Sequence, residues 1–360
     1  MKNERILILV PPSSTKGGIR NYYAVLKPLF SMNVTYLNRG GKNQPHRDPL
    51  IIRVYRNVSD FIHYIIELIR GVSLVNINIS LSLASAIRDA FYLLVAKLLK
   101  KKHIIFFRGW DLDEARKIEK KHLWWFKRLF LGANAIITLT TESKETLQKW
   151  GYLREIYLET TVVDEKLLEY KDMRGGELLG DSGAFKVLFL ARLQKAKGIY
   201  ELIEAVGLLK KKGYNIKLII AGSGLEESAI RREYKYDWIK MIGYVEGKEK
   251  ARAYQCADIY VLPSYTEGMP NSVLEAMAFG LPVVCSNVGS LPEIIVEGVN
   301  GSIIESIDSE AIATAIERLY MDQDLRKSIT ENNIKESRRF CSSNVVKRLE
   351  VIYRKVISEN

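Results

Sequence analysis

The chain is poor in the residues that would tie it to a metal, an oxidising compartment or a membrane span. It holds three cysteines, Cys256, Cys285 and Cys341, in 360 residues. They share no metal-like spacing, and so few point to a reducing compartment, taken here as the cytoplasm. The four histidines, His46, His63, His103 and His122, are scattered. Neither a Ser-His-Asp set nor a metal-ligand cluster stands out. No apolar run is long and unbroken enough to span a bilayer: Phe61 to Leu83 is interrupted by His63, Glu67 and Arg70, and Phe91 to Leu99 by Lys97. The run Ile6 to Val10, stopped by Pro11 and Pro12, reads as a first strand rather than the core of a signal peptide. Internal repeats and low-complexity blocks are also missing.

Acidic residues are scarce in one half only. Residues 1–165 carry 26 Lys and Arg against 15 Asp and Glu, whereas residues 166–360 carry 28 against 27. The net charge of +12 therefore sits almost wholly in the first half, which is built to face anions: a nucleic acid, an acidic membrane surface or a phosphate-bearing substrate. With 47% hydrophobic and 27% charged residues, the composition is globular, and the length suits two domains.

Apolar runs alternate with helical periodicity along both halves. "RILILV", the loop "PPSSTKGGIR" and a helix from near Asn21 come first; "VTYL", "SLVNINI", "HIIFF" and "AIITLT" follow as strands, with "SDFIHYIIELIR" and "ASAIRDAFYLLVAKLLKK" as helices. From about Val163 to Ala184 the pattern fades into a charged, glycine-bearing linker. It resumes with the strands "FKVLFLA", "IKLIIAG", "IKMIGYV", "DIYVLPS" and "LPVVCS", separated by helices. Val346, Leu349, Ile352, Tyr353 and Val356 give a terminal helix one buried face. The expected organisation is a first α/β domain over 1–165, a second over 166–340, and a terminal helix over 341–360. Each domain has its ligand crevice at the carboxyl ends of parallel strands, so two facing domains make a cleft.

The second half concentrates the candidate chemistry. In "PSYTEGMPNSVLEAMAFGLPVVCS", Glu267 and Glu275 flank a Gly-Met-Pro-Asn break. Pro270 and Asn271 start a helix, with Asn271 as its cap, so unpaired amides in "GMPNSV" face the crevice, where they favour phosphate. A carboxylate at Glu275 can accept two hydrogen bonds from a ribose diol, and Glu267 can do the same for a sugar, each bond to a charged acceptor contributing roughly 1.5–3 kcal/mol. The plainer reading of the two acids is that Glu275 favours its helix terminus and Glu267 is a solvated loop acid. Arg192, Lys195 and Lys197 in "ARLQKAKG" gather cations at one strand end. They read either as a grip on a diphosphate leaving group that needs no metal, or as a solvated basic loop.

Together "ARLQKAKG", "IAGSG", "IGYV", "ADIYVLPSYTEGMPNSVLEAMAFGLPVVCSNVGSLPEII" and "VNGSII" resemble the retaining glycosyltransferases of the GT-B architecture, in particular glycosyltransferase family 4 (glycosyltransferase group 1). The likeness covers residues 185–322, with weaker matches at "GGIRN" and "ITLTTESKETLQKWGY". It implies two Rossmann-like domains with an interdomain cleft and a terminal helix crossing back to the first. By the same resemblance Arg192 and Lys197 bind the diphosphate, Glu275 the ribose and Glu267 the donor sugar, and these are the expected catalytic and donor-binding groups. Gly268, Met269, Pro270, Asn271 and Ser272 lie against the diphosphate and sugar, Tyr244 and Val245 at the base, and Gly17 and Gly18 near the diphosphate from the first domain. The implied donor is a nucleotide diphosphate sugar, with no cofactor and no metal. The acceptor is a glycan or a lipid-linked saccharide.

The chain departs from that family in its first half. Where many members end a strand in a histidine before glycine, this one has Arg108 before Gly109, and Asn76-Ile77-Asn78 replaces a His-x-His stretch. No histidine base is expected, since a same-face transfer can pass the acceptor proton to the leaving phosphate. Arg108 then fits three roles: a phosphate contact, a contact to an acidic acceptor, or a pairing with Asp111. "DLD", Asp111 to Asp113, reads as acids at a helix start rather than a metal site, and "GSG" at Gly222 is too short for a dinucleotide fingerprint. "KKHLWWFKRLFL" is either a core helix or a peripheral contact with an anionic membrane. Competing functions are a GT-B-like nucleotide-sugar epimerase, a sugar phosphate synthase and a non-catalytic basic binding protein. A nucleic-acid partner is not expected, because no recognition helix or RNA-binding signature accompanies the charge.

Overall fold

Parallel strands covered on both faces need unbroken apolar runs, and the chain supplies them twice. The computed structural model describes residues 4–11, 18–39, 49–171 and 183–359, with the backbone alone at Leu50 and Arg53. Gly17, His46 and residues 172–182, half of the stretch read as a linker, lie outside the described residues. The chain divides into two compact units, Met1–Thr160 with Ser342–Asn360, and Thr161–Cys341.

The first unit is built on β1 (Arg5–Val10), β2 (Asn33–Asn38), β3 (Leu74–Leu81), β4 (Lys102–Trp110), β5 (Ala135–Thr138) and β6 (Ile156–Leu158), in the order β2-β1-β3-β4-β5-β6. All neighbours are parallel; Leu7, for example, faces Thr35 on one side and Val75 on the other. Helix α1 (Gly18–Leu26) follows β1, α2 (Leu50–Ile69) follows β2, and α3 (Leu83–Leu98) follows β3. α2 begins well before the expected Ser59, directly after Pro49. The second unit repeats the plan with β7 (Phe185–Leu190), β8 (Ile216–Ala221), β9 (Ile239–Gly243), β10 (Ile259–Leu262), β11 (Val283–Ser286) and β12 (Gly301–Ile304). Their order is β12-β11-β10-β7-β8-β9, again parallel. Both units are therefore Rossmann-like α/β layers. The two strands absent from the sequence reading, β6 and β12, are the short edge strands. An edge strand has one partner and needs less apolar surface, so its run is hard to see.

The segment Lys120–Leu131 packs one face into the core: Phe126 and Phe130 are buried and stack with centroids 4.4 Å apart. A π-helical turn, Ile118–His122, precedes this helix, and Trp124 on its other side is exposed. Among the described residues, no helix is long and apolar enough to cross a membrane.

The terminal helix Ser342–Ser358 belongs to the first unit. Val346, Leu349, Ile352, Tyr353 and Val356 form its buried face, and polar contacts set its register. The Tyr353 hydroxyl accepts from Asn76 Nδ2 at 2.6 Å. Glu350 accepts from the Ser31 amide at 2.6 Å, and Arg348 forks onto Glu159 at 3.0 and 2.9 Å. Asn78 accepts from the Tyr23 hydroxyl at 3.0 Å and donates to the Leu9 carbonyl at 3.0 Å. The Asn-Ile-Asn stretch thus pins β3 to α1, β1 and the terminal helix through its buried amides, with Asn76 Oδ1 alone left unpaired among their bonding atoms. Glu159 is almost wholly buried, so Arg348→Met leaves its carboxylate stranded. Unfolding in urea should show stability lower by about 2–3 kcal/mol; an unchanged midpoint would mean that the apolar face alone holds the helix.

Candidate active site at the strand ends of the second sheet

The strand order of the second sheet reverses between β7 and β10. In an open parallel sheet the loops leaving two such strands diverge to opposite faces and leave a crevice at their carboxyl ends. The loop after β7 carries Arg192 and Lys197, and the loop after β10 carries Glu267. The topology places these two loops side by side.

Small residues and backbone bonds hold the loops together. Gly198, at φ 68°, packs so closely on Pro263 that a Cβ would overlap the Pro263 carbonyl. The Tyr265 amide donates to the Ala196 carbonyl at 2.9 Å. From the loop after β11, the Ser290 amide and hydroxyl both donate to the Gly268 carbonyl, at 3.0 and 2.8 Å. Gly289, at φ 59°, sits where any side chain would strike the Glu267 carbonyl.

Each acid is held by a lysine and a hydroxyl. Glu267 Oε1 accepts from Lys197 Nζ at 2.6 Å and from Ser264 Oγ at 2.7 Å. Glu275 accepts from Lys250 Nζ at 2.6 Å on one oxygen and from the Tyr254 hydroxyl at 2.9 Å on the other. Burial, and after it the Glu275 carboxylate, push the Tyr254 phenol well above its ordinary value, so it stays a donor at neutral pH. Both carboxylates are more than nine-tenths shielded from solvent. A buried acid with a lysine partner is fixed in place with its remaining lone pairs directed, unlike a solvated loop acid. Lys197 is accordingly part of an ion pair, whereas Arg192 is exposed with no partner among the described residues. Lys250 and Tyr254 were missed in the sequence. Their i, i+4 spacing on the helix Gly247–Gln255 was the available signal.

The helix Asn271–Ala278 starts where expected, but its cap is Pro270; Asn271 is the first helical residue, with no side-chain capping bond. Proline's extended backbone supplies the turn, so the expected capping role of Asn271 is corrected. The amides of Gly268, Met269, Asn271 and Ser272 make no hydrogen bond among the described residues. The Ser272 hydroxyl instead lies 2.7 Å from that of Tyr260, and Met269 Sδ accepts from the Thr161 amide at 3.0 Å. After β9, Tyr244 is exposed while Val245 is packed in the core. Only Tyr244 presents a side chain there.

In the first unit, Gly18 is exposed at the start of α1. Arg108 does not pair with Asp111. Asp111 caps the helix Leu112–Lys117 by accepting from the Glu114 amide at 3.0 Å, and Asp113 pairs with Arg116. The Arg108 guanidinium lies 3.8 Å from the Tyr22 ring centroid and 4.5 Å from that of Phe106, with Nε and Nη1 buried and unpaired. Stacking between aromatic rings fixes a planar cation without neutralising it.

Gly198→Ala tests the loop packing. It adds a left-handed backbone penalty to a steric overlap, and should cost roughly 2–4 kcal/mol of stability, measured by chemical unfolding. An alanine variant of native stability would show that the two loops do not need this approach.

Residues 177–336 match the family model described as Glycosyl transferases group 1. The capsular polysaccharide biosynthesis glycosyltransferase CapM of Staphylococcus aureus is 32% identical over 228 residues, covering 62% of this chain and 58% of CapM. The chain spans about half the length of the curated relatives it matches. Among solved structures, sucrose-phosphate synthase from Thermosynechococcus elongatus has a TM-score of 0.72 at 17% identity over 99% of each chain. Anabaena HepE in complex with UDP and glucose has a TM-score of 0.68 at 17% identity, over 97% of this chain and 99% of HepE. These structures share the fold of two Rossmann-like domains known as GT-B. The stretch that matches the glycosyl transferases group 1 model, residues 177–336, contains Arg192, Lys197, Lys250, Glu267 and Glu275.

Proposed function

We propose that this protein transfers a sugar from a nucleotide diphosphate donor to an acceptor hydroxyl with retention of the anomeric configuration. The observation that carries the reading is the pair of lysine-held carboxylates, Glu267 and Glu275, on either side of a helix start with free amides. The amides of Gly268 to Ser272 and the Arg192 guanidinium take the diphosphate, Glu275 takes the ribose diol, and Glu267 takes donor-sugar hydroxyls. The exposed Tyr244 ring offers a face to the base. Lys197 stays on Glu267 and shares its remaining donors with a phosphate oxygen.

In the transfer, the bond between the anomeric carbon and the phosphate oxygen breaks and a bond to the acceptor oxygen forms on the same face. The acceptor proton passes to the departing phosphate, so no histidine base is required. Arg192 and Lys197 stabilise the charge that develops on the leaving diphosphate, an electrostatic role that needs no metal. We assign the acceptor to the basic first unit, where the stacked, charged Arg108 suits a phosphate. A polyprenyl-diphosphate-linked saccharide or another cell-surface glycan precursor fits that charge, and CapM is itself named for capsular polysaccharide biosynthesis. The cytoplasm, or the cytoplasmic membrane face, is the corresponding location.

Thermal unfolding with UDP, GDP, ADP and TDP, with and without divalent metal, tests the donor site. HepE, solved with UDP, makes UDP the first choice. One nucleotide at about 100 times its Kd should add roughly 2.7 kcal/mol of stability without metal. Silence from all four overturns the reading, and a response only with manganese overturns the metal-free mechanism. In kinetics, Glu275→Ala should raise the nucleotide Kd, while Glu267→Ala should mainly lower kcat; wild-type behaviour in both removes the assigned roles. Nucleotide release without any acceptor would favour an epimerase instead.

A further inference from the structure

Helix α2 has two apolar faces, and the first unit uses one. Tyr64 and Leu68 are buried, and Phe61 meets Tyr92 of α3 edge-on at 5.3 Å. On the other side, Ile51, Tyr55, Val58, Ile62, Ile66 and Ile69 follow one another at spacings of three and four, 38–82% exposed. Helix α3 repeats the arrangement. Tyr92, Leu93 and Ala96 face the core, while Ile87, Phe91, Leu94 and Leu98 form a stripe 44–71% exposed. The crossovers from β2 to β3 and from β3 to β4 step across the sheet in the same direction, so right-handed connections put both helices on one face. The Tyr64 hydroxyl donates to the Tyr92 carbonyl at 3.0 Å and ties them together. Two neighbouring apolar stripes of this extent exceed the scattered exposure usual on a free surface.

We infer that this face docks on a membrane carrying anionic lipid, with the two stripes entering the headgroup boundary. Charge decides between a bilayer and a second copy of the chain. Residues 50–101 hold seven Lys and Arg against three Asp and Glu. Two of those acids are paired inside the unit, Asp89 buried against Arg39 and Arg88 and Glu67 held by Arg5 and Arg70; setting aside these acids with Arg70 and Arg88 leaves five cations against one acid. Lys100 stands exposed just beyond α3. A copy brought face to face sets these cations against their own kind, whereas anionic headgroups complement them. The docking face is formed by α2 and α3 rather than by the aromatic segment Lys120–Leu131, where Trp124 is the one large apolar side chain exposed among its described residues. It places an enzyme of the proposed activity beside a lipid-linked acceptor, yet rests on none of the active-site assignments.

The test uses the full chain and sedimentation with vesicles of phosphatidylcholine alone or mixed with phosphatidylglycerol. Binding should favour the phosphatidylglycerol vesicles and weaken with salt. The double variant Ile62→Ser/Phe91→Ser, in exposed positions, should keep its Tm and its stabilisation by nucleotide while its partitioning falls roughly tenfold or more. Equal binding by the variant, or no binding by either protein, overturns the inference. So does a concentration-dependent dimer in sedimentation velocity that the same variant abolishes. Retained nucleotide stabilisation with lost vesicle binding separates this surface from the donor site; loss of both would mark a folding defect, and Lys100→Glu, which should lower binding without touching the stripes, then decides.

Discussion

The candidate site depends on one close approach, that of Gly198 to the Pro263 carbonyl at the reversal of the second sheet. Only a residue without a Cβ lets the loop after β7 lie this close to the loop after β10, and that approach, with the bond from the Tyr265 amide to the Ala196 carbonyl, brings Lys197 to Glu267. The ion pair is then shielded by Ser264, Ser286 and Ser290, whose hydroxyls bond to side-chain or backbone oxygens of the same loop. A lysine and a glutamate this well covered are costly to bury apart and stable together. The site is therefore organised before any ligand arrives, and so are its unpaired amides.

The two acids solve the same problem with different partners. Glu267 takes its lysine from a neighbouring loop, while Glu275 takes Lys250 and Tyr254 from successive turns of one helix. A rigid carboxylate discriminates among hydroxyl arrangements, since its free lone pairs point in set directions. Arg192, in contrast, is left exposed on the loop surface, as suits a group that meets a charged ligand from solvent.

The first unit uses polar residues differently. Asn76 and Asn78, in a position that resembles a histidine pair elsewhere, are spent on structure, bridging Tyr23, Leu9 and Tyr353 inside the core. With Glu350 and Arg348 they fasten the terminal helix. That helix completes the face of the sheet carrying α1, and the opposite face carries α2 and α3 with their outward apolar stripes. Part of the excess of cations noted in the composition, Lys100 among it, lies on these helices and the turn after α3, beside a surface that the strand pattern alone gave no reason to expect.

Much of this was legible in the linear chain. Ten of the twelve strands among the described residues, the start of the helix Asn271–Ala278 and the Glu267–Glu275 spacing all follow from local rules: apolar runs, proline geometry and helical periodicity. These act over a few residues and survive without knowledge of the fold. What tertiary structure alone decided is which charges are paired. Lys197 finds Glu267 seventy positions away, Lys250 finds Glu275, and Arg108 stacks on Tyr22 rather than meeting Asp111. Which apolar face of α2 is core and which is open was likewise undecided, because helical periodicity marks both stripes alike and only packing against the sheet tells them apart.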